Sequence, residues 1–284
     1  MAKQLVLSPS RIKRWIRCKK SYYWRYYRHL VKIEKDVPMS LGLVVGEALA
    51  GYYGEAKNIR DQESLGKALE LAVSRNESKF FSGGELSRDR LEKWGTIKNI
   101  SRHILGNYHK WAINQDNFDV QHVEKIQEAD LVPGISLLAI PDTIVLMDGD
   151  TPFVLEHKVR YRYRPGDFGI DYQSVAACMV SGSIGTLYNV LEYSKLKLHR
   201  EVIIRSEHEL SYFKNIFINI GQDILSTPGD KLYPVPFKRC SCEYFELCNG
   251  EMQGLDMEDI ISSLYQETIK SSEEKTLEES EGGE

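Results

Sequence analysis

Two short groups of residues, Pro141-Asp142 and Glu156-His157-Lys158, bring two carboxylates and an amine into one predicted hairpin. In a strand, residues i and i+2 share a face, so Glu156 and Lys158 project together while His157 faces away. A turn at Asp148-Gly149-Asp150 returns the chain and sets Asp142 alongside. Two carboxylates this close repel each other unless a cation lies between them, and a hard divalent ion such as Mg2+ suits oxygen donors. An amine beside such an ion can orient or deprotonate a bound water and neutralise charge on a phosphoryl oxygen.

The Glu-x-Lys pattern is weak by itself, since it recurs at Glu77-Ser78-Lys79 and Glu273-Glu274-Lys275. Only the Glu156 copy follows an apolar β-run with Pro-Asp on the preceding strand. In isolation the motif reads more readily as a surface salt bridge on a hairpin. The segment after it, Arg160-Tyr161-Arg162-Tyr163-Arg164, shifts the balance. Interleaved Arg and Tyr offer phosphate contacts and stacking faces, as in grooves that hold single-stranded nucleic acid; a solvated edge strand is the plainer alternative.

Three of the five cysteines, Cys240, Cys242 and Cys248, form a C-x-C-x5-C cluster, and Cys18 lies far away on the first predicted helix. In a chain expected in the cytoplasm, such clustering argues for metal rather than disulfides, and spacing alone leaves zinc and an iron-sulfur cluster both open. Cys178, within Val175-Ala176-Ala177-Cys178-Met179, reads as a buried small hydrophobe.

The elements that must position these groups follow from periodicity. Ser8-Pro9 reads as a helix start, followed by Ile12, Trp15 and Ile16 and then Tyr22, Tyr23 and Tyr26. Residues 41–57, 64–81 and 88–115 read as helices. Residues 120–128, 137–147 and a run from Phe153 read as strands; 170–181 reads as a helix, 184–193 and 196–205 as strands, and 207–225 as a helix. The chain carries 37 Lys and Arg against 41 Asp and Glu. Residues 1–35 nevertheless hold eleven bases and one acid, Glu34, so a basic arm precedes an acidic body. Such an arm suits a polyanion or, equally, the outer face of an amphipathic helix. No apolar run approaches the roughly 18 residues that span a bilayer, so no membrane partner is expected.

Taken together these residues resemble the PD-(D/E)xK nuclease superfamily, and within it the RecB-like branch with an iron-sulfur cluster, which includes CRISPR-adaptation nucleases and phage exonucleases. The likeness runs from Ser8 to Cys248. It implies an α/β fold with a restriction-endonuclease-like mixed central sheet flanked by helices. A helical elaboration would span 58–118, the catalytic sheet and helices 119–225, and the cysteine segment 233–250. All of these belong to one nuclease domain over 1–250, followed by a helix or linker over 251–270 and an acidic disordered tail over 271–284. The metal, Mg2+ or Mn2+, would be held by Asp142, Glu156, the main-chain carbonyl of His157 and Glu128, with Glu124 in reserve. Lys158 would assist, and Gln173 would position the lysine or the DNA. Cys18, Cys240, Cys242 and Cys248 would hold a [4Fe–4S] cluster, with zinc as the alternative, stapling the two ends of the chain. Arg160, Tyr161, Arg162, Tyr163 and Arg164, with Arg11 and Arg14, would hold DNA.

The sequence departs from that pattern in three places. Gly46 stands where the family's helix carries a metal-binding His, Ala177 stands where a Tyr follows the Gln, and one residue rather than two separates Cys240 from Cys242. The implied activity is metal-dependent hydrolysis of DNA, exonuclease rather than endonuclease, on single strands or free ends in recombination or repair, with a phage origin among the expectations. The alternative is a catalytically weakened nucleic-acid-binding module of the same fold.

Overall fold

The computed structural model describes residues 5–33, 37–81, 87–229, 232, 240 and 242–267. The acidic tail over 271–284 and most of the segment leading into the cysteines lie outside the described residues. By contacts the chain divides into a first unit, Met1–Pro9 with Lys35–Ile218, and a second, Ser10–Glu34 with Asn219–Glu284.

The first unit is built on a five-stranded mixed sheet of order β3-β6-β7-β8-β9. Its strands are β3 (Phe118–Val123), β6 (Thr143–Met147), β7 (Thr151–Arg160), β8 (Gly185–Glu192) and β9 (Lys197–Ile204). β6 and β7 form the predicted hairpin, with Asp148 and Gly149 both at positive φ, the backbone a tight hairpin turn requires. β7 and β8 run parallel, joined through α7 (Tyr172–Ser181). All eight residues of β8 are buried, as befits a strand with neighbours on both edges. Helices α3 (Val37–Gly54), α4 (Gln62–Phe81), α5 (Arg88–Leu105) and α6 (Tyr108–Ala112) share one core with the sheet. In that core Leu49, Tyr53, Trp94 and Tyr108 join Val145, Leu155, Leu187 and Leu191.

Two predicted strands are each divided. The run expected over 120–128 is β3 followed by β4 (Gln127–Val132), parted at Glu124, whose φ is +45°. The run expected over 137–147 is β5 (Ile135–Ala139) followed by β6, parted at Pro141, which has no amide to give a ladder. The two breaks lie side by side, because the Glu124 amide donates to the Asp142 carbonyl at 3.0 Å. Beyond them β4 and β5 leave for a separate sheet of order β1-β5-β4, with β1 at Leu5–Leu7. The helix expected over 88–115 likewise ends at Leu105, before Gly106.

The second unit gathers early and late parts of the chain: α1 (Pro9–Arg17) from Ser10 onward, α2 (Lys19–Tyr22), a π-helical turn (Tyr23–Tyr27), α9 (Phe245–Gln253) and α10 (Met257–Leu264). β2 (Leu30–Lys32) pairs antiparallel with β10 (Tyr265–Glu267). Trp24, Leu30, Tyr244, Leu247, Cys248, Ile261 and Tyr265 form its core, and the Tyr244 hydroxyl donates to the Leu30 carbonyl at 2.7 Å.

Candidate active site

Asp142 and Glu156 face each other across the β6–β7 pair, since the register that pairs Thr143 with Leu155 continues one step to set Asp142 opposite Glu156. Asp142 lies in the bend before β6, not within a strand as expected, because Pro141 interrupts the ladder there. Its Oδ2 accepts the His157 amide at 2.8 Å. Two residues beyond Glu156 on the same face, Lys158 Nζ donates to Glu156 Oε1 at 2.7 Å and to Gln173 Oε1 at 3.0 Å. It also lies 3.5 Å from Asp171 Oδ2. Gln173 reaches the lysine because α7 begins at Tyr172, capped by the Asp171 side chain, which accepts the Gln173 amide.

These charges are largely out of water: the Glu156 and Lys158 side chains are 2% and 11% exposed. Burial raises both carboxyls well above the usual range, most of all Glu156, on which Asp142 adds like-charge repulsion against the pull of Lys158. For Asp142, the His157 amide and Lys158 oppose that rise and Glu124 adds to it. Burial works against the Lys158 ammonium, but Glu156 and Asp171 outweigh it and hold its pKa above the ordinary value. Lys158 is therefore a charged donor in this arrangement, suited to stabilising an anion rather than abstracting a proton.

Among the described residues, Glu156 Oε2 is buried without a hydrogen-bond partner. A buried carboxylate oxygen without a partner is costly, and a cation resolves both that cost and the repulsion from Asp142. The pair thus fits a hard divalent ion. Among the described residues no group of three or more His, Cys, Asp or Glu is gathered to hold an ion. Mg2+ commonly takes one or two carboxylates and completes its shell with water and substrate oxygens.

His157 points away from this face, as its place in the strand requires. Its ring stacks on Tyr53 with centroids 5.4 Å apart, and burial pushes its pKa down to about 3, so the imidazole is neutral. Around it lies a polar network in which the Tyr53 and Tyr108 hydroxyls are 3.0 Å apart and Asn189 Nδ2 donates to the Tyr108 hydroxyl at 2.7 Å. Arg200 bonds both Asn189 and Asp116.

Other residues singled out by the sequence fall elsewhere. Glu128 is exposed on β4, in the separate sheet, where it accepts from the Ser136 hydroxyl. The reserve candidate Glu124 lies nearer Asp142: its amide donates to the Asp142 carbonyl at 3.0 Å, and its charge adds to the rise of the Asp142 carboxyl. Glu47 on α3 follows Gly46 directly and bonds Asn76 at 2.9 Å and Lys79 at 3.2 Å. No spacing rule tied it to the hairpin. Asp171 was also missed as a site residue, although an Asp two residues before Gln at a helix start is a capping signal.

In the loop after β7, Tyr161 is 59% exposed, whereas Tyr163 turns inward. Its hydroxyl donates to Glu201 Oε2 at 2.7 Å and its ring stacks on Phe168. Tyr163 is thus an anchor, and Tyr161 is the tyrosine that presents a face. Arg160, Arg162 and Arg164 are exposed. In the second unit Arg11 is buried against Tyr26, and Arg14 pairs with Glu243 at 2.7 Å. Both are engaged in packing this unit. Burial lifts the Cys248 thiol to about 11, with Cys18 and Cys242 adding to the rise. Cys240 is exposed, and all four cysteines are free thiols. Cys178 is buried against the Thr186 hydroxyl, as a small core residue.

The profile of the PD-(D/E)XK nuclease superfamily matches residues 6–249 of the chain. No curated protein matches it. Among solved structures, a candidate exonuclease from Eubacterium rectale is similar over 86% of this chain and 87% of its own, with a TM-score of 0.54 at 13% identity. That likeness is one of fold. An alkaline exonuclease from Laribacter hongkongensis matches 66% of this chain and 94% of its own, with a TM-score of 0.31 at 14% identity.

Proposed function

We propose that this chain, which belongs to the PD-(D/E)XK nuclease superfamily, is a metal-dependent deoxyribonuclease that hydrolyses phosphodiester bonds of single-stranded DNA or DNA ends. The observation that carries the proposal is the facing pair Asp142 and Glu156, with Lys158 held beside them at 2.7 Å from Glu156. Bound Mg2+ or Mn2+, held by the two carboxylates and the His157 carbonyl, would supply Lewis-acid polarisation of the phosphoryl oxygen and a water of lowered pKa. The chain's own part is distinct. Lys158 presents an ammonium to the developing negative charge, Gln173 fixes where that ammonium stands, and the His157 amide fixes one oxygen of Asp142. Arg160, Tyr161, Arg162 and Arg164 border this strand and would hold the sugar-phosphate chain, with Tyr161 offering a base its exposed face. The exonuclease description of the Eubacterium protein, similar in fold, supports action on ends.

The deciding experiment incubates end-labelled single- and double-stranded DNA with the protein and Mg2+ or Mn2+. Cleavage that needs the metal and is lost in Lys158→Ala, with DNA binding kept, supports the reading. Binding by the wild type without cleavage under any metal selects the weakened binding module instead.

For the cysteines, the reading of a [4Fe–4S] cluster or zinc on Cys18, Cys240, Cys242 and Cys248 rests on the C-x-C-x5-C spacing and the superfamily resemblance alone. Anaerobic purification tests it: a brown protein with stoichiometric iron indicates the cluster, a colourless one with zinc the alternative, and neither metal removes both.

A further inference from the structure

We infer that Asp171 is a positioning residue that uses its two carboxylate oxygens for different tasks: one caps α7, and the other holds the Lys158 ammonium in the active site. The inference rests on the nuclease reading for its catalytic consequence, but its structural part stands on geometry alone. Asp171 Oδ1 accepts the Gln173 amide at 3.2 Å, which starts the helix and delivers Gln173 to the lysine. Asp171 Oδ2 lies 3.5 Å from Lys158 Nζ, on a side chain 11% exposed. Lys158 thus donates to two acceptors, Glu156 Oε1 and Gln173 Oε1, and forms an ion pair with Asp171 Oδ2, so that two of its three partners are set by one capping residue.

Asp171 is itself held from behind. Its carbonyl accepts the Ser174 hydroxyl at 3.1 Å, and Arg205 Nη2 reaches Ser174 Oγ at 3.3 Å. Arg205 is 5% exposed and also bonds the carbonyls of Phe168 and Gly169 and the Glu209 carboxylate. A chain of contacts therefore runs from α8 (Glu207–Ser226) through Arg205 and Ser174 to Asp171 and the lysine.

A charge is needed here for a specific reason. A divalent ion held by Glu156 would leave that carboxylate less to give Lys158, and Gln173 offers only a neutral acceptor. Asp171 supplies a second anion 3.5 Å from Nζ that holds the ammonium in place.

Asp171→Asn separates the two tasks, because Asn caps a helix as well as Asp does but carries no charge. The expected result is an unchanged melting temperature, a kcat on DNA lower by about tenfold to a hundredfold, and a KM within about twofold. Asp171→Ala should lose the cap as well and melt lower. Competitive amine labelling of Lys158 in the metal-loaded protein, read by mass spectrometry, gives a signal independent of turnover: labelling should rise in Asp171→Asn. Full kcat in Asp171→Asn, or Lys158 labelling equal to wild type, would overturn the inference and leave Asp171 a cap alone. If the wild type cleaves no DNA, the nuclease reading fails while the labelling comparison still decides the positioning role.

Discussion

The His157 amide donates to Asp142 Oδ2 at 2.8 Å. This bond joins the bend before β6 to the middle of β7, so one carboxylate is fixed by the backbone of the strand that carries the other. The two acids cannot drift apart without breaking the hairpin register, and their repulsion is stored in the fold. Sites that hold like charges together in this way cost stability when empty.

That cost has a pH dependence. A carboxyl with a raised folded-state pKa keeps a proton that the unfolded chain has already lost, so stability falls as pH rises. For Glu156, lifted from 4.5 to about 8, and Asp142, lifted from 3.8 to about 6, the fall spans that range. The metal-free protein should show a urea midpoint that declines from about pH 5 to about pH 8, with a smaller decline in Glu156→Gln. A flat wild-type profile would count against the shared burial of the two acids.

Metal should act in the opposite sense. An ion that binds the folded chain stabilises it by mass action, and ionised carboxylates bind it best. Millimolar Mg2+ or Mn2+ should raise the melting temperature more at about pH 8 than at about pH 5, and not in Asp142→Asn. Equal shifts in that variant would place the ion elsewhere.

Lys158→Ala should lower kcat by about a hundredfold or more while leaving DNA affinity nearly unchanged, as expected for loss of a donor used in the transition state. Gln173→Ala, which removes one of the three partners around the ammonium, should cost less. A Gln173→Ala loss as large as that of Lys158→Ala would assign Gln173 a direct role.

In the loop after β7, Tyr161→Ala should weaken binding of single-stranded DNA by about 1–3 kcal/mol with no change in salt dependence, the signature of a lost stack. Replacing Arg162 and Arg164 with Ala should flatten the dependence of log K on log salt by about 0.7 per lost phosphate contact. Titrations at several salt concentrations separate the two. Tyr163→Phe, which removes the bond to Glu201 Oε2 and leaves the Gly166 amide on Oε1, tests whether the inward tyrosine sets the loop.

Gly46 lies inside α3, and a Cβ built there meets no heavy atom within 4 Å. Gly46→Ala should therefore stabilise the protein by about 0.5–1 kcal/mol through helix propensity. A destabilised Gly46→Ala would reveal a close approach that the packing does not contain. Gly46 is the position at which the superfamily resemblance expects His, and a Cβ there is unobstructed.

Much of the site was legible because its grammar is local. The i, i+2 relation of Glu156 and Lys158 follows from strand geometry, and the Asp-Gly turn announces the hairpin that returns to Asp142. Glu124 and Glu128 lie on one apparent strand in the sequence. The break at Glu124, beside Pro141-Asp142, leaves Glu124 in the bend between the two sheets and sends Glu128 to the separate one. Arg11 and Arg14 looked free because charge counts do not reveal partners. Glu243, more than 200 residues away in the chain, claims Arg14.

From residue types and spacing came a two-acid, one-amine hairpin and a helix over 170–181, since periodicity and turn chemistry act over a few residues; the nuclease superfamily and the part given to Gln173 came from the resemblance of these motifs to a known family. Tertiary structure alone decided that Asp171 shares the lysine, that Glu124 rather than Glu128 bears on Asp142, and that Tyr163 anchors while Tyr161 is exposed. Each of those outcomes depends on the side chain that a distant segment supplies within hydrogen-bonding or Coulombic range, and no local pattern encodes which segment that is.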